Sequence, residues 1–413
     1  MKSIEPWYAS YLLLGASAAG MVPILLPLAV SSSAGPLQVG IVMAAFSLGG
    51  LTAPLWGRLA DRYRLHRLLL LGGLVGLAAA TAAMAAVRCL PGLVGLAFLQ
   101  GCGLAAASTV AILFIVEVRP RPEWDPRIGW LQTFYATGQV VGLLAAGLLG
   151  APGALTGLLV AGVLAGAAVL PVLRGSPSVP ATPLERRPLL VHPPRHAEWP
   201  VSSPQRLYHH PGPGSLRWLR ATVSPRFALF LAGWLASFAG SAAFFSLYPV
   251  LMQGAYAVPP SLSSLGFAVA AAAGLFLYAP AGRWASRAGP LPLLRLGHGI
   301  RCGAFLLLWG LTFAPVALRA WAAQSAFLLV VLAWSFLGVG STALAAELSR
   351  REGEGMGILN GVTAAGAVAG ALAGGAAAGA GGFAAVPVLG IAGSALGFLV
   401  FIFWPSHRKE VVA

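Results

Sequence analysis

Charge is scarce in this chain, and acid is scarcest. Of 413 residues, 26 are Lys or Arg and 11 are Asp or Glu, together 9%. A soluble domain carries roughly a quarter of its residues charged, so this chain lacks the means to cover itself in water. Cysteine is also sparse: Cys89, Cys102 and Cys302 have no metal-ligand spacing, which excludes a disulfide framework or metal site and leaves them as small packing residues. No set of His, Ser, Cys and acidic residues converges on one membrane face as catalysis would need, so an enzyme is not expected, nor a cofactor. The formal charge of +15 lies in short arginine clusters between apolar runs; without a continuous basic face, a nucleic-acid partner is excluded. What the chain has instead is 58% hydrophobic residues and a mean hydropathy of +0.82. The bilayer is its main solvent.

Spans of about twenty apolar residues predict twelve transmembrane helices, near residues 8–30, 37–56, 68–87, 91–116, 128–150 and 153–173, then 227–251, 262–281, 291–313, 321–346, 355–379 and 383–404. The fold class is therefore an all-α, multi-pass membrane protein. The first run follows a short positive start, and its Ala and Gly positions mimic a cleavage site; it is read as a retained helix because it is long enough to span. Arginines fall on one side: Arg58, Arg62, Arg64 and Arg67, then Arg119, Arg121 and Arg127, Arg283 and Arg287, and Arg350 and Arg351. The alternate loops carry almost none, with Arg88 and Arg319 as exceptions, so both termini are expected in the cytoplasm. Residues 174–226, rich in Pro, Arg and His, read as a cytoplasmic linker between a bundle at 1–173 and another at 227–413. Within it, 206–220 has the makings of a short amphipathic surface helix broken by Pro211 and Pro213, with a plain tether favoured.

The two halves repeat each other. Gly129, Leu131, Ala136, Gly138, Val140 and Gly142 match Gly357, Leu359, Ala364, Gly366, Val368 and Gly370 at one constant offset. Gly57-Arg58-Leu59-Ala60-Asp61-Arg62, after the second span, parallels Gly282-Arg283-Trp284-Ala285-Ser286-Arg287, after the eighth. These residues resemble the major facilitator superfamily of transporters, whose loop between helices two and three carries a Gly-x-Leu-Ala-Asp-Arg-x-Gly-Arg-Arg pattern. The first half of that pattern is intact here and the later Gly and Arg positions are altered, while the resemblance in span number, termini and long central loop covers essentially the whole chain. It implies two six-helix bundles and alternating access, with a latch in which Asp61 caps the start of helix eleven near 354–357. Gly57, Arg58, Asp61, Arg62, Gly282 and Arg283 are the latch candidates, and Glu117 and Glu347, each followed by arginine, resemble the clusters that stitch such bundles together.

A charge at membrane depth costs about 2.5–3.5 kcal/mol on insertion scales and usually marks a path. Every Asp and Glu here lies in a loop or at a helix end. The family's proton-coupled drug exporters place an acid in helix one and an Arg before a Gln-Gly pair in helix four. Here helix one has no carboxylate and Ala97 stands at the Arg position before Gln100-Gly101, so the coupling ion, proton or other, stays open. Arg301, with His298 and Arg295, sits in helix nine, which is peripheral in this family; snorkelling or packing is its expected role. Gln132, Tyr135 and Gln139 share a face of helix five, and Asn360 and Thr363 occupy the corresponding face of helix eleven. With Tyr248 and Trp334, and beside Phe244 and Phe245, they form the candidate substrate set. Gly138 and Gly142 are expected at the moving interface. The chain is expected to be a monomer in the plasma (inner) membrane that carries a small neutral, amphipathic or hydrophobic solute, with efflux favoured. Uptake of a sugar or other neutral solute, and a non-transporting receptor or scaffold, are the alternatives.

Overall fold

In lipid every backbone N–H and C=O must find its partner within the chain, which leaves helices as the means of spanning for a sequence without alternating strands. The computed structural model describes residues 4–63, 65–120, 123–150, 153–175, 223–349 and 352–404. Residues 176–222, the greater part of the predicted linker with its amphipathic segment, lie outside the described residues.

Twelve helical spans follow in order among the described residues. The first six are α1 (Pro6–Ser31), α2 in two pieces (Pro36–Gly50 and Ala53–Tyr63), α3 (His66–Ala83), α4 (Leu90–Val118), α5 (Trp124–Leu149) and α6 (Ala154–Gly175). The second six are α7 (Pro225–Tyr256), α8 (Pro260–Ala288), α9 (Pro290–Leu311), α10 (Val316–Leu348), α11 (Glu352–Gly381) and α12 (Ala385–Ile402). Several begin on proline, whose missing N–H is harmless in the first turn. Ser224 caps α7 by accepting from the Phe227 N–H at 3.2 Å. Gly289, at φ 79°, makes the sharp corner from α8 to α9. Eleven spans are long and apolar enough to cross a membrane by composition alone. The twelfth, α5, is long enough but carries Gln132, Thr133, Tyr135, Thr137 and Gln139 along its middle.

Two helices depart from regularity. Residues Gly15–Met21 of α1 form a π-helical stretch, a register shift that tends to accompany function or tight packing. In α2 the ladder breaks at Leu51 and Thr52, because Pro54 has no N–H to give the Gly50 carbonyl four residues back. The Thr52 hydroxyl fills in, donating to the Gly49 carbonyl at 2.6 Å and accepting from Trp56 Nε1 at 2.9 Å. The segments 57–62 and 282–287, expected in loops, are instead the last turns of α2 and α8. Gly57 is buried there, while Arg58, Arg62 and Arg283 are exposed. The helix outruns the apolar stretch by presenting its arginines outward.

The matched glycines of the repeat do one job in both bundles. A Cβ at Gly142 would lie 2.0 Å from the Ala16 carbonyl oxygen of α1, and one at Gly370 would lie 2.2 Å from the Ala239 carbonyl oxygen of α7. Gly138 and Gly142 therefore seat α5 on α1 within one bundle, and do not form the interface between halves. Between the bundles, α2 meets α11 where Gly40 abuts Ala371 and Gly375, and α5 meets α8 where the Ser264 hydroxyl donates to the Leu143 carbonyl.

Three large apolar cores organise the molecule. The largest joins both bundles at the end away from the arginine-rich loops, bringing Met21, Leu25 and Val39 together with Phe244, Leu247, Leu251 and Phe327. At the arginine-rich end each bundle has its own: Trp7, Tyr8, Leu74, Phe114 and Val172 in one, Phe227, Phe230, Trp234, Leu344 and Phe401 in the other. The halves are thus fused at one end and separately packed at the other.

Candidate functional site

Between the bundles lies a cavity of about 560 Å³, a size suited to a small organic molecule. One wall is the polar face of α5, with Gln132, Tyr135 and Gln139 recurring on one side of the helix. The facing wall comes from α8, where Phe267, Ala271, Gly274 and Tyr278 recur at helical spacing. Phe245 of α7 and Val331, Trp334 and Ser335 of α10 complete it, and the Ser335 hydroxyl donates to the Gly274 carbonyl at 3.0 Å, tying α10 to α8.

The ninth helix also reaches this space. Arg301 lines the cavity although it is only 2% exposed. Its Nη1 donates to Ser241 Oγ of α7 at 2.9 Å, and its Cζ stands 5.7 Å from the Trp334 ring centroid, within cation–π range. Its Nε has no hydrogen-bond partner. Of the two expected roles, snorkelling or packing, snorkelling is displaced: the head is held inside the bundle, not at the interface.

Of the seven substrate candidates, the structure brings four together on the cavity wall: Gln132, Tyr135, Gln139 and Trp334. The other three stand elsewhere. Tyr248 is buried in the shared core, stacked on Phe327 with centroids 4.0 Å apart and donating to the Ser263 carbonyl at 2.8 Å. Thr363 accepts from Trp234 Nε1 at 2.8 Å and so fastens α11 to α7. Asn360 is exposed away from the lining. The described lining comes from α5, α7, α8, α9 and α10, and α11 contributes none of it. Tyr278 and Phe267 were passed over in the sequence, where the aromatic ends of one α8 stripe were the available signal.

Of the latch candidates, the side chains of Asp61 and Glu117 lie outside the described residues. Arg62 rests its guanidinium 5.4 Å from the Tyr63 ring centroid, and the Arg283 carbonyl accepts from Ser286 at 2.9 Å. Gly282 is half-buried, and Glu347 is exposed at the end of α10. The stitching carboxylate that the structure does describe is Glu5, which no motif flagged. It pairs with Arg119 at 2.8 Å and with Arg127, and accepts from Trp7 Nε1 at 2.7 Å, while Glu123 holds Arg127 from the other side at 2.7 Å. Gln100 is buried and donates to Thr81 at 2.7 Å, a bond between α4 and α3.

A membrane protein of two six-helix bundles, fused at one end around an internal cavity, is the class that these features define. The chain belongs to the Major Facilitator Superfamily, whose model matches residues 8–360. No curated protein matches it by sequence. Among solved structures it is similar to a variant of the nucleoside transporter NupG, at 12% identity with 96% of this chain and 98% of that one covered and a TM-score of 0.75. It is similar also to a D-xylose-proton symporter (13% identity, 96% and 95% covered, TM-score 0.68) and to the human organic anion transporter MFSD10 (19% identity, 96% and 97% covered, TM-score 0.58). At these identities the likeness is one of fold.

Proposed function

We propose that this chain is a secondary transporter that moves a small amphipathic organic solute across the plasma (inner) membrane by alternating access, with both termini cytoplasmic and the arginine-rich loops on the cytoplasmic side. The observation that carries the reading is the contrast between one core shared by both bundles at one end and two separate cores at the other, with a polar-faced cavity between. That contrast supports a state closed outward and open inward. The latch that the family resemblance implies for Asp61 on α11 belongs to the opposite state.

Gln132 and Gln139 supply hydrogen bonds, and Phe245, Phe267, Tyr278 and Trp334 supply apolar walls. Efflux fits a cavity that an amphipathic molecule enters from the cytoplasm or inner leaflet. Uptake of a sugar is the second reading, favoured by the two glutamine amides alone. Counterflow in proteoliposomes, run with a panel of amphipathic solutes and sugars, tests both: the Gln132→Ala, Gln139→Ala double variant is expected to lower flux about tenfold or more with little change in folding. Absence of counterflow across the panel, or full flux in the double variant, would remove this assignment.

A further inference from the structure

The transport reading leaves open what charge the cargo carries, and Arg301 answers it. We infer that Arg301 anchors the anionic group of an amphipathic organic substrate, whose apolar body lies against the aromatic wall of the cavity. The inference rests on the cavity being the transport site.

Depth comes first. Arg301 lies near the middle of α9, which runs Pro290–Leu311, so its charge is at the bilayer midplane, where such proteins place their binding sites. A guanidinium stays protonated under all ordinary conditions, and a cation held there needs a counter-charge or a solvent. Snorkelling supplies neither, because the side chain is buried and its head is tied to Ser241.

Among the described side chains, the surroundings supply no counter-charge. No carboxylate lies on the described wall of the cavity. Glu5 and Glu123 are taken by Arg119 and Arg127. Glu347 is exposed thirteen residues beyond Trp334 on α10, roughly 20 Å along the helix axis. His298, one turn away on α9, donates from Nδ1 to the Leu294 carbonyl at 2.7 Å and brings no negative charge. What Arg301 does have is the furniture of a receptor. The Ser241 hydroxyl donates to the Ser237 carbonyl at 2.9 Å, which leaves an oxygen lone pair to steady Nη1. The Trp334 ring steadies the guanidinium from its face, and Nε is left without an acceptor. A planar fork fixed in this way suits a carboxylate, sulfonate or phosphate monoester. The aromatic walls set the rest of the ligand, since Phe245, Phe267 and Tyr278 line the same space. A cargo that is neutral, as the lack of buried acids first suggested, leaves the cation unanswered.

Three matched probes test this on the full-length protein in nanodiscs: 1-naphthoate, 1-naphthamide and 1-naphthylmethylammonium, with binding followed by calorimetry and by thermal shift. Naphthoate is expected to bind about tenfold or more tightly than the amide, with the ammonium weakest. Arg301→Gln is expected to abolish that preference while keeping the amide affinity, and Arg301→Lys to keep part of it. Should Arg301→Gln not fold, Ser241→Ala, which frees the guanidinium without removing it, is expected to narrow the preference severalfold. Equal affinity for all three probes, no response to naphthoate, or a preference that survives loss of Arg301 would overturn the inference. So would an equal shift with chloride, inorganic phosphate or an anionic lipid, which would assign the cation to a different source of anion. Anion binding without counterflow would sink the transport reading and leave the anchor standing; counterflow of naphthoate untouched by Arg301→Gln would do the reverse.

Discussion

A carboxylate 15% exposed and shared by two guanidinia, as Glu5 is by Arg119 and Arg127, cannot be removed without leaving two cations short of a partner at the junction of α1, α4 and α5. Glu5→Gln is therefore expected to cost about 1.5–3 kcal/mol, read as a lowered unfolding midpoint of the purified protein, with Arg127→Gln costing at least as much because it takes a partner from both Glu5 and Glu123. Glycines at helix crossings carry a second residue-level expectation. Gly142→Ala and Gly370→Ala would each drive a methyl into a carbonyl oxygen across the crossing, costing about 1–3 kcal/mol of strain, whereas Gly76→Ala, with nothing within 4 Å, is expected to be neutral or stabilising. Equal melting behaviour of the three variants would contradict the reading of α5 on α1 and α11 on α7 as backbone-to-backbone seats.

Among elements, the contact of α2 with α11 is the one that can be locked. A Cβ at Gly379 would lie 3.8 Å from the Leu37 Cβ, the usual separation across a disulfide. In a background lacking Cys89, Cys102 and Cys302, the Leu37→Cys, Gly379→Cys pair is expected to cross-link under mild oxidant, to stop flux, and to recover it on reduction. Flux that continues through the cross-link would show that these ends never part. The elements were also the level at which the sequence was most readable. Apolar runs placed every span, because lipid punishes any break in the run, but missed the last turns of α2 and α8, where arginines extend the helix past the apolar stretch; the polar stripe of α5 showed in the spacing of Gln132, Tyr135 and Gln139. Arg301 was visible as a buried charge, but its direction depends on how α9 rotates against α7 and α10, which no local pattern encodes. Glu5 joins residues more than a hundred positions away, and the π-helical turn of α1 answers to its packing against α5; neither leaves a trace in hydropathy. Asn360 and Thr363 followed from assuming that the repeat is symmetric, whereas the described cavity lining draws on α5 and not on α11.

For the whole molecule, the end that opens should be the arginine-rich one. Thr133→Cys, at an exposed cavity position, is expected to react with a membrane-impermeant maleimide added from the cytoplasmic face of inverted vesicles, and to be at least several times slower from the other face. Reaction from the outer face alone would reverse the assigned sidedness. The fused core has a consequence of its own. Tyr248, Phe244 and Phe327 pack ring against ring within it, with Phe245 and Phe267 covering them on the cavity side, so none of the three can be hydrated while its neighbours stay dry. Water must flood this plug all at once or not at all. A barrier of that kind gives way in one cooperative step, which is what separates a carrier, tight to ions between cycles, from a leaking pore.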